Sequence, residues 1–263
     1  MYLTAFASSG HIYFGLTFLE LFPKYNCPDE IPDCKPIDHC LRPDIVTIDW
    51  DSEKSLHNWV DPLNLECTLY FDHLLIGEKT YLIGLLGSIY FVGWLSAAFV
   101  IPRLGDILGR KKPFIYSLAF SIPLYLGLIL SRNIYVNITL FLFLGMCQEG
   151  KLSVCFVYLL EFMPIKYYNI IGTLFAIWEG LTLTCLAIYF RYISKEWIYY
   201  QIFGLSLNVL CFITLVFVPE SPKFLYSAKR YHEAKQSLAF VAKFNRVKNY
   251  HKYFKFVTEL SSI

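Results

Sequence analysis

The chain has 263 residues, 56% of them hydrophobic and only 17% charged, where a soluble domain carries about 25% charged residues. One soluble core of this size cannot hide that much apolar surface, so a water-soluble globule is excluded and lipid is the expected solvent. The formal net charge of +2 discriminates between no partners by itself; where the positive charges fall does, and no nucleic-acid partner is expected.

A bilayer core of about 30 Å needs about 20 apolar residues in a helix, and six stretches meet that test. In hydrocarbon every backbone polar group must bond internally, and runs this long without alternation are not barrel strands, so all six are predicted helices. The first is 1–22, which lacks the basic start and small-residue cleavage site of a signal peptide. Because the chain begins directly in this helix, residues are expected to precede it. Residues 24–79 form a long polar loop containing Cys27, Cys34, Cys40 and Cys67. The remaining predicted helices are 80–101, 113–130, 134–159, 168–190 and 198–218, joined by short links that force antiparallel neighbours.

Orientation follows from Lys and Arg. Arg103, Arg110, Lys111 and Lys112 lie after the second helix. Lys223, Lys229, Arg230, Lys235, Lys243, Arg246, Lys248, Lys252 and Lys255 lie after the sixth. With six helices both groups fall on one side, the cytosolic one, which places the cysteine-bearing loop outside. Its four cysteines then allow two disulfides in any of three connectivities. A metal site with His39 and His57 is the weaker alternative, since the spacing fits no zinc pattern, and no metal is expected. Cys147, Cys155, Cys185 and Cys211 fall inside helices, where they read as small apolar fillers.

Three short motifs carry a resemblance. The second link reads Leu104-Gly105-Asp106-Ile107-Leu108-Gly109-Arg110-Lys111-Lys112, and it resembles the signature loop of the major facilitator superfamily. Pro102 stands where that pattern has Gly, and Ile107 where it has a basic residue. Glycine permits the sharp reversal, and Asp106 is expected either to cap the next helix or to pair with a basic residue. The sixth helix ends in Pro219-Glu220-Ser221-Pro222-Lys223-Phe224-Leu225, similar to the Pro-Glu-Ser-Pro-Arg-Trp-Leu element of sugar porters and organic-ion transporters. The prolines stop the helix, and Glu220 is expected to pair with a basic residue of the cytosolic face. Tyr158, Glu161 and Pro164 match the Tyr-x-x-Glu-x-x-Pro element of the same families, in which the acid joins a charge network that latches two halves of a transporter. Pro23 and Cys27 at the start of the long loop, and Glu196, Trp197 and Gln201 at the start of the sixth helix, point to the organic-ion branch.

The resemblance implies an all-α membrane protein: the N-terminal six-helix bundle of a major facilitator fold over 1–222, with a large extracellular loop at 24–79. Residues 223–263 would begin the central cytosolic loop as an amphipathic helix. It implies a multi-pass protein of the plasma membrane that moves a small organic solute, an organic ion or a sugar-like molecule, by alternating access. The resemblance covers only the family's first half, so the chain is expected to be incomplete, with a missing C-terminal half or a second copy as partner. Phe141 replaces an arginine of the family, which puts proton coupling through that position in doubt. A membrane receptor or scaffold on the same fold is the alternative reading. No nucleotide-binding loop, redox motif or nucleophile arrangement is present in the sequence, so neither an enzyme nor a cofactor is expected.

Ionisable residues inside a membrane are costly and point to function. Glu149 and Lys151 lie in the fourth predicted helix, Glu179 in the fifth and His11 in the first. Glu149 and Glu179 fall about midway along antiparallel neighbours, at the depth where such transporters bind substrate; two carboxylates there suit a cation or a proton. Lys151, two residues from Glu149, points elsewhere and is free to neutralise a carboxylate on another helix. Gln148 and Trp178 are further candidate contacts, the latter through the face of its ring. The competing reading is that these charges pair with one another and touch no substrate. Gly84, Ser88, Gly93 and Ala97 read as a small-residue packing stripe.

Overall fold

The computed structural model describes residues 2–28, 34, 38–39, 42–52, 54–60 and 76–247, with side chains from residue 10 in the first helix and from residue 84 in the second. Cys40, Cys67, Lys248, Lys252 and Lys255 lie outside the described residues.

The chain enters as helix α1 (Tyr2–Leu19). Two short strands follow, β1 (Tyr25–Asn26) and β2 (Thr47–Ile48), paired antiparallel with Tyr25 opposite Ile48. Then come α2 (Ile76–Ala98), α3 (Ile101–Leu108), α4 (Lys111–Leu130) and α5 (Ile134–Glu149). A π-helical turn, Gly150–Val154, joins α5 to α6 (Cys155–Phe162). After a 3₁₀ turn at Ile165–Tyr167 come α7 (Tyr168–Ile188), a second π turn at Tyr189–Ile193, and α8 (Trp197–Phe217). Two shorter helices, α9 (Pro222–Ser227) and α10 (Tyr231–Phe244), complete the described chain.

Among the described residues, five stretches are long and apolar enough to cross a membrane: Gly84–Leu108, Lys111–Leu130, Ile134–Phe162, Ile165–Ile193 and Trp197–Phe217. They overlap the five apolar runs that follow the polar loop, and each extends beyond its run at one end or both. The run expected to stop at Ile101 continues through α3. Pro102 is tolerated because it stands in the first turn of that helix, where a missing N–H leaves no bond unmade. Pro113 occupies the same kind of position in α4. Asn133 starts α5 by accepting the backbone N–H groups of Tyr135 and Val136, two of the donors that a helix start leaves unpaired.

Helix α2 packs along α5, α1 lies against α8 and α7, and α4 against α5 and α8. The α2–α5 crossing is set by two glycines. A Cβ on Gly93 would overlap the carbonyl oxygen of Leu142, and one on Gly145 would overlap that of Tyr90. The expected stripe on α2 is therefore only half right. Gly93 and Ala97 are buried, whereas Ser88 is exposed and a Cβ on Gly84 would meet nothing within 4 Å. The missing half of the motif sits on the partner helix.

Two buried clusters fill the bundle. One holds Leu86, Tyr90, Tyr125, Phe141 and Leu186; the other, toward the Arg103–Lys112 link, holds Phe114, Leu118, Val154, Tyr158 and Leu215. Outward faces carry exposed Leu95, Phe99, Phe120, Leu130 and Phe217, the surface that lipid would cover. Below, the end bearing the Arg103–Lys112 link is called the basic end and the opposite one the loop end.

At the loop end, Cys27 and Cys34 form a disulfide. Asn58 donates to the carbonyls of Phe18 and Leu21 at 2.9 and 2.6 Å. Trp59 is buried against Phe141 and Trp197. His57 stacks on Trp50 at 4.1 Å and pairs through its backbone with Lys195 and Trp197, while His39 bonds the carbonyl of Val46. His57 is thus tied to Trp50 and to the start of α8, and His39 to Val46. The four cysteines assigned to helices are free thiols.

Candidate functional site

Two polar assemblies lie within the helices. The first begins where α5 meets its π turn. A π turn inserts an extra residue and re-aims the side chains beside it, and Gln148 and Glu149 are the two residues that precede it. Both are almost fully buried, at 3% and 5% exposed. They nevertheless have different surroundings. Gln148 lines a narrow cleft, with a free volume of about 10 Å³, together with Tyr13 and Phe14 of α1, Trp94 of α2, and Glu179 and Thr182 of α7. Glu149 lies behind that wall, where its Oε2 accepts the indole N–H of Trp94 at 2.7 Å.

The structure therefore brings Glu179 and Gln148 to one cleft and puts Glu149 one side chain away from it. Glu179 is half-buried and makes no hydrogen bond or ion pair among the described residues. Lys151, 1% exposed, sits inside the π turn and forms no ion pair with either carboxylate among the described residues. The expected neutralisation by Lys151 is thus not made. Trp178 faces a neighbouring cleft, between α1, α7 and α8, with His11, Thr182, Tyr200 and Phe203. There His11 stacks on Tyr200 at 4.5 Å between ring centroids, and the buried indole N–H of Trp178 has no partner among the described residues. Thr182 lines both clefts.

Trp94, Tyr13, Phe14 and Thr182 were not singled out by the sequence. Aromatic residues are abundant in this chain, and nothing local marks the few that meet a carboxylate from another helix. Glu20 was also passed over; it follows α1, and its carboxylate is half-buried beside Gly87. As an acidic residue within the predicted 1–22 helix it was visible in the sequence.

The second assembly is at the basic end. Gly109 adopts φ +100°, a backbone state that costs any residue with a Cβ. That turn aims the N–H groups of Arg110 and Lys111 at the carboxylate of Glu220, which accepts them at 3.1 and 3.0 Å and takes the N–H of Ser221 at 2.9 Å. A Cβ on Gly109 would overlap that carboxylate. Glu220 thus meets two basic residues, Arg110 and Lys111, through their backbone N–H groups. A carboxylate at a helix N-terminus satisfies unpaired N–H groups and the helix dipole together.

Asp106 takes the pairing option rather than the cap, reaching Arg110 at 2.6 Å; the same guanidinium holds Glu161 at 3.0 Å. The other oxygen of Glu161 is buried without a partner among the described residues. Lys111 donates its ammonium to the carbonyl of Val216 at 3.0 Å. Lys223 binds the carbonyl of Met163 and the hydroxyl of Tyr168 at 2.8 and 2.7 Å. Pro164 holds the chain extended between α6 and the 3₁₀ turn. Ser221 caps α9 through Phe224, with Pro222 in its first turn, and Ser237 of α10 donates to the carbonyl of Glu220 at 2.7 Å. Tyr158 donates to the carbonyl of Pro219. One cluster thus ties the α3–α4 turn to the ends of α6 and α8 and to α10.

Known proteins resemble most of this chain. The family model described as "Sugar (and other) transporter" matches residues 49–256. The chain is 30% identical over 204 residues to solute carrier family 22 member 4 of Mus musculus, covering 75% of this chain and 36% of that protein. It is 28% identical over 181 residues to organic cation/carnitine transporter 2 of Homo sapiens, covering 68% and 32%. With solute carrier family 22 member 16 of Xenopus laevis it shares 26% over 213 residues, covering 77% and 36%. The chain spans about a third of the length of these relatives.

Proposed function

The chain belongs to the sugar (and other) transporter family, and from that premise we propose that it supplies one six-helix half of a secondary transporter that moves small organic cations by alternating access. It is a multi-pass membrane protein. In this reading α1 is the first of six spans, the bundle occupies 1–222 with an outer loop over 24–79, and 223–263 begins the cytosolic link to the other half. The basic end is cytosolic by its Lys and Arg, and the plasma membrane is the residence. A relative named for organic cations and carnitine supports a cationic solute.

The observation that carries the reading is Glu179. An unpaired carboxylate within a membrane-spanning helix is costly, and this one opens onto a cleft walled by Tyr13, Phe14 and Trp94. A carboxylate beside aromatic faces attracts a weakly hydrated organic cation, and the rings replace its water once the cleft, closed to a solute at a free volume of about 10 Å³, widens as the halves rock. Gln148 supplies a hydrogen-bonding amide on the opposite wall. Glu149, held by Trp94, positions that ring rather than meeting solute. A second six-helix half, from a longer polypeptide or a second copy, completes the site, and the cluster of Asp106, Arg110, Glu161 and Glu220 forms the cytosolic latch that must open as the halves rock.

The test is uptake of a radiolabelled quaternary ammonium compound and of a neutral hexose by cells expressing the protein. Uptake of the ammonium, lost in Glu179→Gln and kept in Glu179→Asp, supports the reading. Hexose uptake unaffected by Glu179→Gln, with no ammonium uptake, contradicts it.

A further inference from the structure

We propose that the cleft between α3 and α4, floored by α5, is a binding site for one anionic phospholipid of the leaflet at the basic end. Its placement in the cytosolic leaflet rests on the orientation proposed above; its chemistry does not. The cleft is open on one side, has a volume of about 550 Å³ and is lined almost wholly by hydrocarbon, with Leu104, Leu108, Phe120, Leu124, Phe143 and Met146 among its walls. Most of these side chains are exposed, so a molecule must cover them.

Length selects the occupant. Along α4 the lining runs from Pro113 to Leu124, about 16 Å at roughly 1.5 Å per residue. One leaflet contributes about 15 Å of hydrocarbon, half of a core of about 30 Å. Beyond Leu124 the helices close: a Cβ on Gly127 would lie 3.4 Å from a methyl of Leu140. A transmembrane helix from another half or another copy needs a groove of full membrane depth. An acyl chain needs half.

Charge selects the headgroup. Arg103 and Lys112 adjoin the lining residues Leu104 and Pro113 at the basic end of the cleft. Both are exposed, and neither makes an ion pair or side-chain hydrogen bond among the described residues. Their neighbours are committed: Arg110 to Asp106 and Glu161, and Lys111 to Val216. Tyr116, one turn beyond Lys112, lines the cleft at the level where tyrosines meet headgroups. Two free cations above a leaflet-deep apolar slot match a phosphate-bearing anionic headgroup with its chain below. The cleft between α7 and α8 over α1 has the same three-helix form but aromatic walls and no such pair beside its lining.

Two free thiols report on the site. Cys147 lines this cleft and Cys185 the other one. The protein, purified in detergent, is incubated with phosphatidylserine or phosphatidylcholine and labelled with N-ethylmaleimide, and each cysteine is followed by mass spectrometry of its peptide. Phosphatidylserine is expected to slow labelling of Cys147 and not of Cys185. Each basic group beside an anionic headgroup is worth about a fivefold preference, so Arg103→Gln with Lys112→Gln should cut the advantage of phosphatidylserine by about 25-fold. Both changes are at exposed positions, and unaltered thermal unfolding of the double variant checks that it folds. Equal protection by both lipids, or protection that survives the double substitution, overturns the proposal. So does protection of Cys147 without lipid in a dimer, which would make the cleft a protein interface. None of these readouts involves transport, so failure of the transport reading is seen separately.

Discussion

At the residue scale the arrangement turns on which carboxylate meets the cleft. Glu149 and Glu179 look equivalent in the sequence, each an acid midway along an apolar run. They differ in the structure because Trp94 engages one and leaves the other open. The partners in that hydrogen bond are 55 residues apart, a pairing no local pattern encodes. The two acids should therefore respond differently. Trp94→Phe strands a buried carboxylate oxygen and should lower stability by about 1–3 kcal/mol, read as a drop in the thermal unfolding midpoint in detergent. Glu149→Gln keeps an acceptor for the indole and should cost less. A Trp94→Phe variant as stable as the parent would show that the bond carries no weight. Gly109→Ala should cost about 1–2 kcal/mol from φ alone, and more because its Cβ displaces Glu220. The same assay should show a larger loss for Gly109→Ala than for Glu220→Gln, which keeps an acceptor for the N–H groups.

At the scale of elements, the long helices were legible because hydrocarbon leaves one way to satisfy a backbone and a run of about 20 apolar residues announces it. Their contacts were less so. Small residues on α2 signalled close packing, but only Gly93 and Ala97 face a partner, and the glycine that receives α2 lies on α5. A stripe read on one helix shows that a backbone approaches without showing which turn it meets. Gly93→Ala and Gly145→Ala should each force the α2–α5 crossing apart, at about 1–3 kcal/mol for an overpacked contact. Gly84→Ala, with open space around it, should be neutral or slightly stabilising. Equal melting temperatures for all three would contradict the glycine crossing. The π turn after Glu149 was illegible for a related reason: one extra residue in a helix leaves no mark in hydropathy, yet it decides where Gln148 and Glu149 point.

At the scale of the whole molecule, the two assemblies lie along one bundle: a polar cleft within its helices and a charge cluster at its basic end. Motif residues far apart in sequence converge on that cluster, which is why the short motifs were informative together and weak singly. Orientation was read from Lys and Arg alone, so a cysteine introduced as Lys235→Cys should resist an impermeant thiol reagent added outside intact cells and react after permeabilisation; reaction in intact cells would invert the topology. The central claim is that Glu179 is the cation-binding carboxylate of a transporter. It is tested most directly by the initial rate of quaternary ammonium uptake in cells expressing the protein or its Glu179→Gln variant at matched surface levels. The account predicts saturable uptake by the parent and loss of at least about tenfold in the variant, the equivalent of about 1.4 kcal/mol of binding. Uptake at the parental rate in Glu179→Gln would contradict it.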